Sequence, residues 1–307
     1  LRPLKDIDLR GRVGFRQVLH SMSSSGLMGA ELGKALDVLD AMMSDKHCLR
    51  VLALAGAATA TGQRSVLALL IRRSRFDVVV STGANITHDI LMSLGWKHYI
   101  LSRSEMMDDE RLERRGLYRI FNVAVKKNAY LALERYVDRV FEKVRPGSYP
   151  SDFLTGRLSA PLSERNSLLV AAKENHVPVF SPSLADSILG LQIAYRTSRK
   201  IRHDPFQDLD SLVKLIWSRR RAGALIVGGG TPKHFTLMAA STAGRALSYA
   251  AQLVTEHEEF GGLSGARLEE AKSWGKVAPG ALIANVTVDL SIGLPILAAA
   301  LSERPRK

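Results

Sequence analysis

The segment EEAKSWGKV at positions 269–277 places Lys276 next to Trp274 and Gly275 and directly ahead of an apolar run. A lysine in that setting is a candidate nucleophile. An amine with the ordinary lysine pKa of about 10.4 is less than roughly one part in a thousand unprotonated at pH 7. Imine chemistry therefore requires a dry, apolar environment that lowers the pKa. Trp274 offers one, and Glu269 and Glu270 lie about a turn earlier on a helix predicted over 268–273. The alternative is a solvated surface lysine, one of 43 Lys and Arg side chains in the chain, since lysines are rarely buried.

Other candidate groups collect where predicted strands end. Apolar runs at 49–55, 76–80, 177–180, 222–227, 248–254 and 281–288 alternate with helical patterns, as parallel strands covered on both faces do. Ligands of such sheets bind outside the carboxyl ends of the strands. The run 222–227 leads into Gly228, Gly229 and Gly230, with Thr231 suited to an N-cap and Pro232 to the first helical position. Three glycines let backbone approach a phosphate at the positive end of a helix, or simply make a tight turn. Thr82, Gly83, Ala84 and Asn85 follow the run 76–80. His88 and His234 lie within a few residues of strand ends, as proton carriers or as hydrogen-bonded structural histidines. Asp186 and Asp289 complete the set and suit ribose hydroxyls or a cationic substrate.

The elements that position these groups read as follows. A loop at 23–26 precedes an amphipathic helix with Leu32, Leu36, Leu39 and Met43 on one stripe. Val66, Leu69 and Leu70 mark a second helix, Leu133, Tyr136, Val137 and Val140 a third, and Leu168, Leu169 and Ala172 a fourth. RPGSYP at 145–150 reads as a turn or linker, with the same alternation on either side. The fold class is α/β, a Rossmann-like, doubly wound, mostly parallel sheet with helices on both faces. A helical segment at 1–48 is expected to pack on one compact domain at 49–307.

Composition narrows the function classes. Of the 307 residues, 46% are hydrophobic and 24% charged, the balance of a globular protein. Cys48 is the only cysteine, which excludes an intrachain disulfide and a zinc site built on cysteines and fits a reducing cytoplasm. No metal site is expected, since no HExxH or CxxC motif appears. The longest apolar stretch, 292–301, is half of a membrane span and contains Pro295. The chain begins with Leu1, so some N-terminal sequence is expected to be missing. A net charge of +13 suits nucleic acid, anionic cofactors or an acidic partner. The basic clusters, among them Arg72, Arg73 and Arg75, and Arg196, Arg199, Lys200 and Arg202, lack interleaved aromatics and read first as solvated helix ends, so nucleic-acid binding is possible but not favoured.

Several segments together resemble the deoxyhypusine synthase family, which includes homospermidine synthase. They are VVVSTGANITHD at 78–89, GLYRIFNVAV at 116–125, HVPVFSPSLADSILG at 176–190, VGGGTPKH at 227–234 and GGLSGARLEEAKSWGKV at 261–277. The resemblance runs from about residue 6 onward, and the last segment is the most specific. It implies that Lys276 is the imine-forming nucleophile. It further implies an NAD-dependent reaction without net redox, in which hydride leaves spermidine, diaminopropane is lost, and the aminobutyl group is held on Lys276. That group then passes to one lysine of the hypusine-containing translation factor and is reduced. By matching positions, Thr82, Gly83, Ala84, Asp186, Gly228, Gly229, Gly230 and Asp289 would line an NAD site. His234, Glu270 and Trp274 would line the polyamine site, with His234 as proton carrier. The family implies a cytoplasmic homotetramer built from dimers.

The chain also departs from animal members. Gly56, Ala57 and Ala60 stand where those enzymes carry a TSN segment and further polar residues. His88, Leu191 and Leu263 stand where they place carboxylates around the polyamine, and the segments are similar to those of archaeal and bacterial members. Two other readings remain beside protein modification: transfer of the same group to putrescine, making homospermidine, and a catalytically silent NAD- or RNA-binding relative.

Overall fold

The computed structural model describes residues 3–11, 13–74, 76–196 and 200–304; Arg75 and Arg199 of the basic clusters lie outside them. Helices α1 (Phe15–Met22) and α2 (Leu27–Ser44) precede β1 (Cys48–Leu54), α3 (Arg64–Ser74), β2 (Val78–Ser81) and α4 (Gly83–Ser93). A smaller section follows: β3 (His98–Ile100), α5 (Asp109–Arg114), β4 (Leu117–Ile120), β5 (Val123–Lys126) and α6 (Lys127–Phe141). Next come β6 (Gly147–Tyr149), α7 (Ser151–Ser159), α8 (Leu168–Glu174), β7 (Val179–Phe180), α9 (Ile188–Arg196), β8 (Ile201–His203) and α10 (Pro205–Trp217). The chain closes with β9 (Arg221–Val227), α11 (Gly230–Thr242), β10 (Leu247–Val254), α12 (Glu270–Ser273), β11 (Val277–Thr287) and α13 (Leu290–Ser302).

The six apolar runs pair into one parallel sheet of order β11-β10-β9-β1-β2-β7. Counted along the chain, this is the 3-2-1-4-5-6 order of the doubly wound dinucleotide-binding fold. Successive residues feed two cores, as the two-residue period of a strand demands. Leu52, Leu54, Val79, Leu225, Val227, Leu253 and Val286 face one core with Leu36, Leu39, Leu67 and Leu297 from α2, α3 and α13. Val51, Ala53, Val78, Val80, Ala224, Ile226 and Ile283 face the other, against α10, α11 and α12. Residues of α1 and α2 belong to the first core. The two helices cross closely because Gly33 has no side chain; a Cβ there would lie 2.4 Å from Leu19 O.

Several elements differ from the sequence reading. The segment 145–150 is more than a turn, because Gly147–Tyr149 is β6 and pairs in parallel with β8. Strands β3, β5 and β4 form a separate antiparallel sheet. The helix predicted over 268–273 spans only Glu270–Ser273, since the Leu268 amide is given to Asn285 Oδ1 at 3.0 Å. Strand β11 is irregular at its start. Val277 pairs with Leu247, and the next pair is Tyr249 with Leu282, so residues 278–281 leave the ladder.

His88 is 6% exposed. Its Nδ1 lies 2.9 Å from His98 Nε2, with Tyr130 edge-on to the ring. Burial, and secondly the His98 ring, pushes His88 down to about 4; burial and then the charge of Arg64 push His98 down to about 4. In the unfolded chain both would titrate near 6.5. Between those values the unfolded state binds protons that the folded state refuses, so stability is complete above about pH 6.5 and falls as pH drops toward 4. Urea unfolding from pH 7.5 to 4.5 should show a loss of a few kcal/mol, on the order of 1.4 kcal/mol per pH unit per histidine at most. In the His88→Gln/His98→Gln double variant most of that slope should disappear; an unchanged slope would assign the acid sensitivity to other groups.

Candidate active site

At the centre of the sheet the order reverses between β1 and β9, so the loops that leave them diverge and open a crevice. Gly56, in the first loop, has φ +63°, is exposed, and has open space where a Cβ would lie. Thr82 Oγ1 donates to Gly56 O at 2.6 Å while capping α4 through the Asn85 amide. Gly83 lets that helix meet the next loop, since a Cβ there would lie 2.3 Å from Ser187 Oγ. Ala84 is half-buried in the first turn of α4, and Asp186, just before Ser187, is exposed. Asp289 follows β11 and caps α13, accepting from the Ser291 amide at 2.7 Å. All eight positions matched to a cofactor thus lie along the carboxyl edge of the sheet.

The glycine turn differs from expectation in one respect. Gly228, Gly229 and Gly230 all have positive φ, and Gly229 is the N-cap of α11, so Thr231 and Pro232 lie inside the helix. The Gly230 amide donates to Ser264 Oγ at 3.0 Å, and Pro232 has no N–H to offer. The glycines serve close packing as much as anion binding: a Cβ on Gly229 would lie 2.6 Å from Ser264 Cα, and one on Gly228 3.3 Å from Ala55 Cβ. The switch point nonetheless keeps bare backbone at Gly56, exposed and with open space where a Cβ would lie, which fits a dinucleotide.

His234 lies in the first turns of α11. Burial lowers its pKa first, followed by the charges of Lys276 and Lys233. Lys276 is half-buried, with Nζ 5.0 Å from the centre of the Trp274 ring, a cation–π pair. Trp274 itself is 66% exposed. In the single chain it supplies a face for the ammonium and not the dry enclosure expected of it. Lys276 enters from the other edge of the sheet, since it directly precedes β11 and its carbonyl accepts from Leu247 at the start of β10. Glu270 is exposed one turn before Trp274, and Glu269 is held by Asn285 Nδ2 at 2.9 Å.

The remaining expected positions separate. His88 is buried against β3 and α6, around the β2–β7 half of the sheet, whereas Lys276 precedes the strand at the opposite edge. Within the chain His88 does not join Glu270 and Trp274, because its ring fills a gap beside the small sheet. Leu191 on α9 and Leu263 are 49% and 45% exposed. Sequence reasoning missed Lys233, 2% exposed and bonded to backbone carbonyls at 263, 264 and 266. Among the described residues no group of three or more metal-ligating side chains occurs, and no helix is long and apolar enough to cross a membrane.

The fold is that of a doubly wound α/β protein, with glycines and other small residues where the strand order reverses. The profile of the deoxyhypusine synthase family matches residues 17–301. A protein of Methanosarcina thermophila named probable deoxyhypusine synthase is 32% identical over 99% of this chain and 96% of its own length. One of Archaeoglobus fulgidus, named probable deoxyhypusine synthase 1, is 35% identical over 94% of each chain. The crystal structure of a deoxyhypusine synthase candidate from Entamoeba histolytica shares the fold, with TM-score 0.62 and 16% identity over 97% of this chain and 96% of that one. The chain belongs to the deoxyhypusine synthase family, a family of aminobutyl-transferring enzymes, and is a transferase of that kind.

The close approach at Gly229 is testable against a second glycine. Gly229→Ala combines positive φ with a backbone collision, whereas Gly62→Ala has φ +91° but open space. Thermal or urea unfolding should show a cost of about 1 kcal/mol for Gly62→Ala and clearly more for Gly229→Ala, on the order of 2–4 kcal/mol. Equal costs would mean that the 264 segment does not press on the turn.

Proposed function

We propose that this chain carries out NAD-dependent transfer of the aminobutyl group of spermidine, through an imine on Lys276, to one lysine of the hypusine-containing translation factor. The observation that carries this reading is the role of α11. It starts at the glycine turn on the switch-point crevice and presents His234 within electrostatic reach of Lys276. One helix therefore links a cofactor site to an amine nucleophile.

NAD, when bound, would supply reversible hydride removal at the amine donor. Thr82, Gly83, Ala84, Asp186, Gly228, Gly229, Gly230 and Asp289 would hold it along the carboxyl edge. The protein's own groups handle charge and protons. The Trp274 face steadies a cation, and the Glu270 carboxylate favours a polyamine. His234, held below the ordinary imidazole value, is neutral at pH 7 and can accept a proton from an attacking amine. Attack of neutral Lys276 Nζ on the donor's imine carbon forms one C–N bond and breaks another; diaminopropane leaves with the transferred proton. The acceptor lysine then repeats the exchange and frees Nζ.

Exposed Trp274 and Phe260, 66% and 74% open in the single chain, support an assembly that covers them, a homotetramer of dimers in a cytoplasmic setting. An enclosure supplied in that way would complete the dry setting that Lys276 requires.

Incubation with spermidine and NAD, followed by borohydride, should leave an aminobutyl mass on Lys276 in wild type and none in Lys276→Ala, read by peptide mass spectrometry. The translation factor supplied as acceptor should gain the same group. Consumption of putrescine with the factor unmodified would assign homospermidine synthesis instead, and no adduct in wild type would mark a catalytically silent relative.

A further inference from the structure

Lys233 is a buried ammonium whose hydrogen-bond acceptors are all backbone carbonyls. Nζ donates to Leu263 O at 3.0 Å, Ser264 O at 3.5 Å and Ala266 O at 2.5 Å. The Gln252 amide on β10 donates to two of the same oxygens, Ser264 O at 3.1 Å and Ala266 O at 3.4 Å. From the glycine turn, the Gly230 amide holds the Ser264 hydroxyl. The 263–266 segment is therefore gripped by three residues on two elements, Gly230 and Lys233 of α11 and Gln252 of β10. The chain after it is fixed in turn, through the Leu268 amide and the Glu269 carboxylate on Asn285, and it continues into Glu270, Trp274 and Lys276.

A methionine of similar shape would fill the same space without the cost of removing a charge from water. An ammonium is retained where its charge-assisted bonds do something that packing cannot. We propose that Lys233 is a positioning residue of the site: its ammonium ties the 263–266 segment, and so the lysine-bearing chain beyond it, to the helix that carries His234. This rests on the reading of Lys276 and His234 given above.

The same ammonium bears on His234. The charges facing Lys233 are Glu270 and Glu256, which favour its protonated form, while burial outweighs them and lowers it to about 8. His234 is faced by burial, Lys276 and Lys233, all of which lower its pKa. Lys233 therefore helps to keep the imidazole neutral as well as in place, and its two effects can be separated by substitution. Lys233→Arg keeps charge and donors, Lys233→Gln keeps a donor only, and Lys233→Met keeps neither.

Hydrogen exchange on the protein without substrates reads the clamp. Amides at 262–268 should exchange roughly tenfold faster or more in Lys233→Met, less so in Lys233→Gln, and near the wild-type rate in Lys233→Arg, with the α11 amides at 236–241 unchanged. NMR titration should show His234 moving up in pH in the Gln and Met variants and staying in place in Arg. At saturating spermidine, the trapped Lys276 adduct should form at least about tenfold more slowly in Lys233→Met. If the Met variant does not fold, the Gln and Arg variants decide the matter. Wild-type exchange at 262–268 in the uncharged variants, acceleration spread evenly over α11, or an unmoved His234 would overturn the proposal. Failure of wild type to form any Lys276 adduct would sink the transferase reading while leaving the exchange result to judge the clamp.

Discussion

The parallel ladder between β1 and β9 is the constraint on which the rest of the molecule depends. It runs seven residues in strict register, from Cys48 opposite Arg221 to Leu54 opposite Val227, and it joins two halves of the sheet wound in opposite directions. Because the register is fixed, the loops that leave the two strands start at the same height. Ala55 N donates to Val227 O and Gly228 N to Leu253 O, both at 2.8 Å. Small residues at that height are a packing requirement before they are a binding feature. The crevice is what remains when two chains diverge from a ladder with nothing larger than a methyl group at its end.

A second fixed point explains why a motif rich in polar residues is partly structural. Asp89, in the TGANITHD segment, is fully buried. Its carboxylate accepts from Arg64 Nε at 2.7 Å, the Ser167 hydroxyl at 2.6 Å, and the amides of Leu168 and Leu169 at 3.2 and 2.9 Å. Those amides open α8, where a negative charge is favoured by the helix dipole. One carboxylate thus fastens α3, α4 and α8 together, and its neighbour His88 fills the adjoining gap. Within eight residues the motif passes from crevice groups, Thr82 and Gly83, to groups that hold the helix supporting them.

Much of the fold was legible because parallel strands covered on both faces must be apolar throughout, and all six such runs became strands of the main sheet. The small antiparallel sheet was not, since its strands are three or four residues long and Tyr99, Ile100, Tyr118 and Arg119 are half-buried or exposed; no periodicity can emerge from so few positions. Thr231 and Pro232 suited a helix start, and tertiary contact with Ser264 moved that start back to the glycines. Lys276 stood out through its surrounding segment, while the edge from which it enters was missed, although the excursion at 278–281 reads APGA and its Pro-Gly pair signals a break in the strand. Lys233 stands in PKH, where a lysine reads as surface. The available signal was its phase: 233, 236, 237 and 240 fall on the buried stripe of α11, a face on which a solvated lysine has no place.

The excursion of β11 carries a broader consequence. Four residues leave the ladder between Val277 and Leu282, and beyond them the pairing from Leu282 to Thr287 proceeds regularly. Lys276 lies on the near side of the excursion and is pinned separately, its carbonyl accepting from the Leu247 amide at 3.0 Å. A change in the length of that excursion would therefore leave both Lys276 and the register of the strand beyond it where they are. Such a joint absorbs insertions and deletions at the edge of the sheet while leaving the scaffold untouched.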